Sequence, residues 1–594
     1  MIDYEKLVSP EQFDVIRCDN SILLRACPGS GKTRTITYKI GYILENDLNE
    51  GRKIVAITYT NRAAEEIIDR INKLNLDLSR LWIGTIHQFC LEFVIKKHKR
   101  DNELIKKGYR IIDEYEQEKI RTEINEKLIN KIVILDLNYV LDINGNPTVT
   151  SEREKNFLVK YYKYLDDNKL IDFDQILYIA YDLLAKNTEL CRRQKRLISH
   201  FLIDEYQDTQ ELQYQILKSI INSENNISTE VFFAGDIDQA IYTSIGGVVK
   251  DLNQLKELFP FNTITEKNLS GCYRSTQQIV NYYSNFLNKY YKIEAVGENK
   301  NFQSSVIYIS EIDSNDNLIE LISNIIKQEI GKGVPEEEIC VIAPNWFLIF
   351  PIIKKLKKLL PNTKFDAPDV SAIKRDPLNL FYNLSKCLLL DFKYEHYHKF
   401  FYCSKQIKLL LDEIFSININ LADKDLINLI INNKSDKLIG TDFIDDSINK
   451  IFGLLDIKLE DNCPLNEAFK EFMLKIYDRI RRHGLENTSE AFKLMYSEKD
   501  GIVISSCHGV KGEEYHTVIA FGLLDGKVPH WKEMKFNPQN AIISGKRLFY
   551  VTASRAKVNL FFISENRSDR FGRRMLPSCI LRKLSFDDYD DLVL

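Results

Sequence analysis

The sequence predicts an α/β protein with two parallel-sheet cores, each interrupted by a mainly helical insertion. Three observations predict it: short apolar runs that end in small or acidic residues, long segments at helical spacing between them, and a Gly-containing loop between the first run and the helix after it.

The first runs are Ile22-Leu23-Leu24, Ile54-Val55-Ala56-Ile57, Phe201-Leu202-Ile203 and Val231-Phe232-Phe233-Ala234. A parallel strand covered on both faces meets water on neither, so it reads as a continuous apolar run rather than an alternating one. A second set follows at Val306-Ile307-Tyr308-Ile309, Cys340-Val341-Ile342-Ala343, Val503-Ile504, Val518-Ile519-Ala520 and Leu560-Phe561-Phe562-Ile563, which predicts a second core. The segments 91–195 and 350–490 have no strand signal and carry Lys, Glu, Asn, Leu and Ile at helical spacing, as in 116–130 and 421–433. The expected organisation is a first core of 1–90 and 196–268 with insertion 91–195, and a second core of 269–349 and 491–594 with insertion 350–490.

Composition narrows the function classes. The chain has 594 residues, 44% hydrophobic and 28% charged, long enough for several buried cores; this excludes a disordered tail, a collagen-like fibre and a disulfide-framed miniprotein. The 81 Lys and Arg against 85 Asp and Glu leave a net charge of −4, so any contact with nucleic acid has to come from local patches. The eleven cysteines include no Cys-x-x-Cys pair, which leaves no zinc or redox motif and suits a reducing cytoplasm. The first ten residues lack the apolar stretch of a signal peptide, and no apolar run is long enough to span a bilayer. The expectation is a soluble cytoplasmic protein without a membrane partner.

The loop Ala26-Cys27-Pro28-Gly29-Ser30-Gly31-Lys32-Thr33 directly follows a predicted strand and precedes a helix. A triphosphate needs backbone N–H donors turned into one concavity, a path that Gly29 and Gly31 permit. Lys32 reaches the β/γ-phosphates, Thr33 ligates Mg²⁺, and the helix N-terminus adds its dipole. Ala26 stands where the strict pattern has Gly. Asp204-Glu205 closes the run Phe201–Ile203 at the carboxyl end of a strand, where open α/β sheets bind ligands. There Asp204 holds Mg²⁺ through its water shell, and Glu205 orients or deprotonates the attacking water.

In this order the motifs resemble superfamily 1 DNA helicases of the UvrD/Rep/PcrA type over nearly the whole chain. Pro10-Glu11-Gln12 resembles the adenine-reading motif and points to Gln12; the resemblance also brings Arg34 to the nucleotide. Thr58-Tyr59-Thr60-Asn61-Arg62-Ala63-Ala64 and Gly84-Thr85-Ile86-His87-Gln88-Phe89-Cys90 are similar to the single-strand contact segments, which implies Thr60, Asn61, Thr85 and His87 as contacts. Residues 204–210 with Gln213 resemble the Walker B region, and Gly235-Asp236-Ile237-Asp238-Gln239 places Gln239 as the γ-phosphate sensor, followed by Tyr242 in the base-stacking segment. In the second core, 269–275 implies Tyr273 stacking on adenine and Arg274 facing the γ-phosphate. The segment 506–515 implies Ser506 and His508 on the strand and Glu514 on ribose, and 547–556 implies Arg555 as a second arginine finger.

The resemblance implies two RecA-like P-loop NTPase cores that hydrolyse ATP with Mg²⁺ in the cleft between them and step 3′ to 5′ on single-stranded DNA, engaging ss/ds junctions. Its departures lie mainly on the DNA side. Ser244 and Ile245 replace the usual aromatic and arginine, Cys272 replaces an Asn, Ser544-Gly545 replaces an acidic start, and 350–490 has no glycine-containing duplex-contact motif. Two other readings stay open at this level: a non-unwinding, DNA-sensing ATPase subunit partnered with a separate nuclease, and a scaffold that holds ATP as a structural ligand. The basic clusters Lys354-Lys355 with Lys357-Lys358, and Arg479 with Arg481-Arg482, read either as phosphate contacts or as solvated helix faces, and the acidic 587–591 end reads as a solvated tail.

Overall fold

The computed structural model describes residues 2–583 apart from 48–50, 113, 135–136, 150, 225, 244–245, 289–290, 311, 313–314, 367–370, 375, 377–378, 393–396, 497–500 and 569–571. Ser244, Ile245 and the acidic 587–591 end therefore lie outside the described residues.

The first core is a six-stranded parallel sheet of β1 (Ser21–Ala26), β2 (Lys53–Thr58), β3 (Leu81–Thr85), β4 (Ile198–Asp204), β5 (Glu230–Gly235) and β6 (Ile264–Leu269), in the order β3-β2-β4-β5-β1-β6. Successive side chains point to opposite faces, so each interior strand serves two cores. Ile22, Leu24, Ile54 and Ala56 pack under α1 (Pro10–Ile16), α2 (Lys32–Asn46) and α3 (Asn61–Asn72). Leu23, Val55, Phe201 and Ile203 face the opposite way, under the helices Phe173–Lys186 and Glu211–Ile221.

The second core repeats the plan with β7 (Ser305–Ser310), β8 (Ile339–Ala343), β9 (Phe365–Asp366), β10 (Ile502–Ser506), β11 (Tyr515–Ala520) and β12 (Ala556–Ser564), six parallel strands ordered β7-β12-β11-β8-β10-β9. Cys340 and Ile342 face one layer while Ile339, Val341 and Ala343 face the other. The chain thus has two RecA-like cores.

The insertions are narrower than expected. Helices Phe173–Lys186 and Thr188–Leu197 bury Ile176, Ile179, Leu183 and Leu190 on the first sheet, although they fall in the expected insertion 91–195. Likewise α4 (Trp346–Leu359) buries Leu348, Ile349, Ile352 and Leu356 on the second sheet, and β9 extends that sheet, although both reach into the expected 350–490. A helix that covers a sheet and one that builds an insertion share the same apolar period, so spacing alone does not separate them. Lys354, Lys355, Lys357 and Lys358 accordingly sit on a core helix, where Lys355 pairs with Asp316 at 2.6 Å.

The first insertion has its own small core around Phe157, Tyr161 and Leu165. The second is a helical body around Phe381, Leu384, Phe400, Ile444 and Phe469, and it rests on the first core and the first insertion. Lys386 pairs with Glu65 of α3, Gln88 Nε2 donates to the Tyr402 hydroxyl, and Lys96 pairs with Asp412 at 3.1 Å. Among the described residues no helix is long and apolar enough to cross a membrane.

Candidate active site between the two cores

The loop after β1 is shaped by conformation. Gly29 and Gly31 lie at φ +70° and +78°, and a Cβ on Gly29 would stand 2.6 Å from the Arg274 Cβ, so only glycine fits against the second core there. Gly31 caps α2, which begins at Lys32, and its exposed backbone donors face the loop. Gln12, held in a capping box with Ser9, donates from Nε2 to the Ser30 carbonyl at 2.9 Å, and the Tyr273 N–H donates to the Gly29 carbonyl at 2.8 Å. Both predicted adenine contacts therefore touch the phosphate loop. Arg34 is exposed and donates to the Leu7 carbonyl at 2.6 Å. Ser30 is buried, and among the described residues its Oγ has no hydrogen-bond partner. A concave glycine-rich loop holding a buried unpaired hydroxyl and a lysine fits a phosphate ligand.

The Lys32 ammonium lies between the paired carboxylates, 3.0 Å from Asp204 Oδ1 and hydrogen-bonded to Glu205 Oε1. Burial opposes its charge, but Asp204 and Glu205 outweigh burial and raise its pKa. Glu205 sits in the left-handed region at φ +54°, unusual for a residue with a Cβ. The turn aims its carboxylate back toward the loop, where Gln207 Nε2 donates to Oε2. Gln207 Oε1 in turn accepts from the Asp236 N–H at 3.2 Å, and it approaches so closely that a Cβ on Gly235 would stand 2.0 Å from it. Burial pushes the Glu205 carboxyl up, but Lys32, Lys511 and the Gln207 bond bring it down to about 2. Burial raises the Asp204 carboxyl.

The second core closes the site. The Arg555 side chain is almost wholly buried and donates from Nη2 to Gln239 Oε1 at 3.0 Å and from Nη1 to the Glu513 carbonyl at 3.2 Å. Burial, with Arg274 adding repulsion, brings Arg555 down to about 9, a cost that an anion in the cleft would relieve. Arg274 donates from Nε to Glu514 at 2.8 Å and from Nη1 to the Ser554 carbonyl at 2.8 Å. Gln239 is fixed by Asp236, whose Oδ2 accepts from Nε2 at 2.9 Å. Lys32, Asp204, Glu205, Gln239, Arg274, Arg555 and Glu514 thus gather at one cleft. Cys272 is fully buried against the loop, 3.2 Å from a Cβ on Gly29, and Gly545 lets α5 (Pro538–Ala553) approach Pro529, which a Cβ would meet at 2.9 Å.

On the DNA side the structure gives local reasons for several predicted contacts. Thr60 and Thr85 are helix N-caps that accept from the Ala63 and Gln88 N–H groups, and Ser506 Oγ accepts from the Gly509 N–H at 3.1 Å. Asn61 begins α3, but its side chain lies outside the described residues. His87 packs edge-on to Phe173 at 5.6 Å, and burial lowers its imidazole to about 4, so it is neutral. Tyr242 joins Tyr59, His508 and Lys511: its ring stacks on Tyr59 at 4.9 Å, lies 5.7 Å from His508 and 5.2 Å from the Lys511 ammonium. Tyr59, Gln207 and Lys511 stand inside the quoted motifs, yet spacing assigns them no role. A cavity of about 370 Å³ opens beside them, lined by Tyr59, Thr85, His87 and Glu205 of the first core and by Tyr382 and Arg479 of the second insertion.

The basic clusters are largely paired. Arg481 and Arg482 both pair with Asp478, and Arg479 Nε donates to the Ser371 carbonyl at 2.7 Å. The contacts of Arg481 and Arg482 fit a solvated helix face, whereas Arg479 lines the cavity.

Residues 8–260 match the UvrD/REP helicase N-terminal domain and residues 464–567 the UvrD-like helicase C-terminal domain. Similar curated proteins include a probable DNA helicase II homolog of Mycoplasma capricolum, 24% identical over 97% of this chain and 87% of that protein. ATP-dependent DNA helicase Rep of Buchnera aphidicola (subsp. Acyrthosiphon pisum) is 24% identical over 95% of this chain and 96% of its own. ATP-dependent DNA helicase PcrA of Staphylococcus epidermidis is 22% identical over 98% of this chain and 87% of its own. With both family domains in order and the phosphate loop, carboxylates and arginines converging on one cleft, the chain belongs to the superfamily 1 helicases of the UvrD/Rep/PcrA type, enzymes that hydrolyse ATP.

Proposed function

We infer that the protein is an ATP-dependent DNA helicase that translocates 3′ to 5′ on single-stranded DNA and engages ss/ds junctions, with hydrolysis in the inter-core cleft driving each step. The observation that carries this reading is the contact of Arg555 with Gln239 across the cleft at 3.0 Å, close to the Lys32–Glu205 pair. Groups that neutralise a transferred phosphoryl come from both cores, so closure completes the site and loss of the phosphate releases it. Thr33 and Asp204 would hold Mg²⁺, which when bound would offset charge on the phosphate oxygens. The backbone donors at Gly29 and Gly31 hold the phosphate chain, Lys32 exchanges its carboxylate partners for phosphate oxygens, and Glu205 accepts the proton of the attacking water. The relatives are named as helicases, which favours this reading over a non-unwinding subunit partnered with a nuclease.

Polarity is tested by strand displacement on duplexes with a 3′ or a 5′ single-stranded tail. Displacement is expected from the 3′-tailed substrate; equal or greater displacement from the 5′ tail overturns the polarity, and displacement from neither removes the helicase activity. Tyr59 is 39% exposed and presents a ring face already stacked on Tyr242. Stacking is worth about 1–3 kcal/mol per base, so Tyr59→Ala is expected to weaken oligo(dT) affinity by roughly 5- to 150-fold, read by fluorescence anisotropy. Unchanged affinity would remove this ring from the strand path.

A further inference from the structure

Helix α1 carries Gln12 to the phosphate loop, yet with seven residues it is too short to hold its own place. Helix α2, which starts at Lys32 of that loop, grips it from both sides. Arg34 donates to the Leu7 carbonyl ahead of α1 at 2.6 Å. Lys39, about two turns along α2, donates to the Ile16 carbonyl at 2.9 Å and is hydrogen-bonded to the Cys18 carbonyl just past the end of α1. A helix leaves its last carbonyls without intrahelical donors, and here one ammonium supplies two of them. Lys39 is 4% exposed, and the face of the Tyr42 ring lies 5.5 Å from its ammonium. Burial brings its pKa down to about 8 against the opposing charges of Cys18, Asp19 and Glu230. The fold therefore holds this cation at a cost that a neutral side chain filling the same space would avoid.

At the other end of α1 the Gln12 amide is fixed in both senses. Its Oε1 accepts from the Ser9 N–H at 3.1 Å, which turns Nε2 toward the Ser30 carbonyl at 2.9 Å. A trans peptide points its C=O and N–H in opposite directions, so the carbonyl that Gln12 holds sets the direction of the Gly31 N–H. A Cβ on Gly31 would stand 2.6 Å from Gln12 Nε2, so the approach is as close as glycine permits. The loop, α2, Lys39, α1 and Gln12 form a closed ring. Resting on the reading of this loop as the ATP site, we propose that Lys39 is a positioning residue for ATP binding: it anchors the C-terminal end of α1, which keeps Gln12 on the Ser30 carbonyl and the phosphate loop in its binding shape. The other ties of α1, Lys267 with Asp14 at 2.6 Å and Ser270 Oγ with Glu11 at 2.8 Å, lie nearer the surface and hold less firmly.

The test uses the full chain, with steady-state ATP hydrolysis under saturating oligo(dT), equilibrium binding of a fluorescent ATP analogue and thermal melting. The variants are Lys39→Met, Lys39→Arg, Gln12→Ala and the Lys39→Met/Gln12→Ala double variant. Lys39→Met is expected to raise KM for ATP and the analogue's Kd at least about fivefold, the scale of one lost hydrogen bond, while kcat stays within about threefold. Lys39→Arg keeps donors for both carbonyls and is expected to restore most of the affinity. The double variant is expected to bind no worse than Gln12→Ala, because a residue that acts through Gln12 adds nothing once that amide is gone. If Lys39→Met does not fold, the same comparison is read between Lys39→Arg and Lys39→Gln, whose amide is too short to reach both carbonyls.

Unchanged affinity in Lys39→Met overturns the proposal. So does a lower melting temperature or kcat without a change in affinity, which would leave Lys39 a structural cap alone. Losses that multiply in the double variant also overturn it, since Lys39 would then act apart from Gln12. A wild type that hydrolyses no ATP, with or without oligo(dT), overturns the reading of the loop as the ATP site and the inference with it.

Discussion

Glu205→Gln is expected to lower kcat for ATP hydrolysis by about 10²–10⁴-fold while nucleotide affinity changes only a few-fold. The amide has nearly the shape of the carboxylate, and its one oxygen can keep the bond from Lys32 or the bond from Gln207 but not both, so the turn is retained with one bond lost. What it loses is the ability to take a proton. Lys32, Lys511 and the Gln207 bond hold the Glu205 carboxyl at about 2 against its burial, so it is ionised as a base across the neutral range. Any fall in rate on mild acidification therefore has to come from other groups, among them Asp208, which burial raises to about 6, and Asp236, which burial raises to about 7. Single-turnover rates with and without the substitution, beside equilibrium binding of a fluorescent ATP analogue, separate the two effects. A variant that retains hydrolysis within tenfold would show that the water is activated elsewhere.

The interior of each sheet is legible in the sequence because a strand covered on both faces has to be apolar at every position. The edges are not. In β6 the inner positions Thr265, Glu266 and Lys267 are polar and only partly covered, Asn268 is exposed, and β9 has just two residues, so neither produces an apolar run. Strands of this kind satisfy their backbone on one side only and need little hydrophobic signal. The insertion limits failed for another reason. Trp346–Leu359 reads as an apolar helix wherever it packs, and only the tertiary fold assigns it to a sheet.

At the site, motif order was legible and contact was not. Lys511 meets Asp208 across 303 residues of chain and Arg555 meets Gln239 across 316, separations over which no spacing rule operates. Tyr59 occupies an unassigned position of its motif, and it stands out only when Tyr242 arrives beside it. The net charge of −4 says little about the site for a related reason. Lys32, Arg274, Lys511 and Arg555 gather in one cleft, where Lys32, Arg274 and Lys511 pair with Asp204, Glu514 and Asp208, so both signs are concentrated there. Recognition of an anion depends on the local potential, for which the chain average is the wrong scale.

Arg555→Ala is expected to lower kcat by about 10³–10⁵-fold, the scale at which an arginine supplied across a cleft acts on phosphoryl transfer. The side chain is almost completely buried and also donates to the Val551 and Glu513 carbonyls, so its loss strips partners from the structure as well as charge from the cleft. Arg555→Lys separates the two effects. It keeps a cation near Gln239 but loses the planar fork, so it is expected to restore thermal stability more fully than rate. Arg274→Ala is the cleaner deletion. Its Glu514 partner is 48% exposed, but Arg274 is itself 10% exposed and donates to the Ser554 carbonyl at 2.8 Å, so thermal stability is measured beside the rate to separate the cleft from folding. If both arginines neutralise one developing charge, the double variant will be far less impaired than the product of the single losses predicts. Strictly multiplicative losses would mean that the two act independently, and an Arg274→Ala enzyme within tenfold of wild type would leave Arg555 as the sole arginine acting on the phosphate.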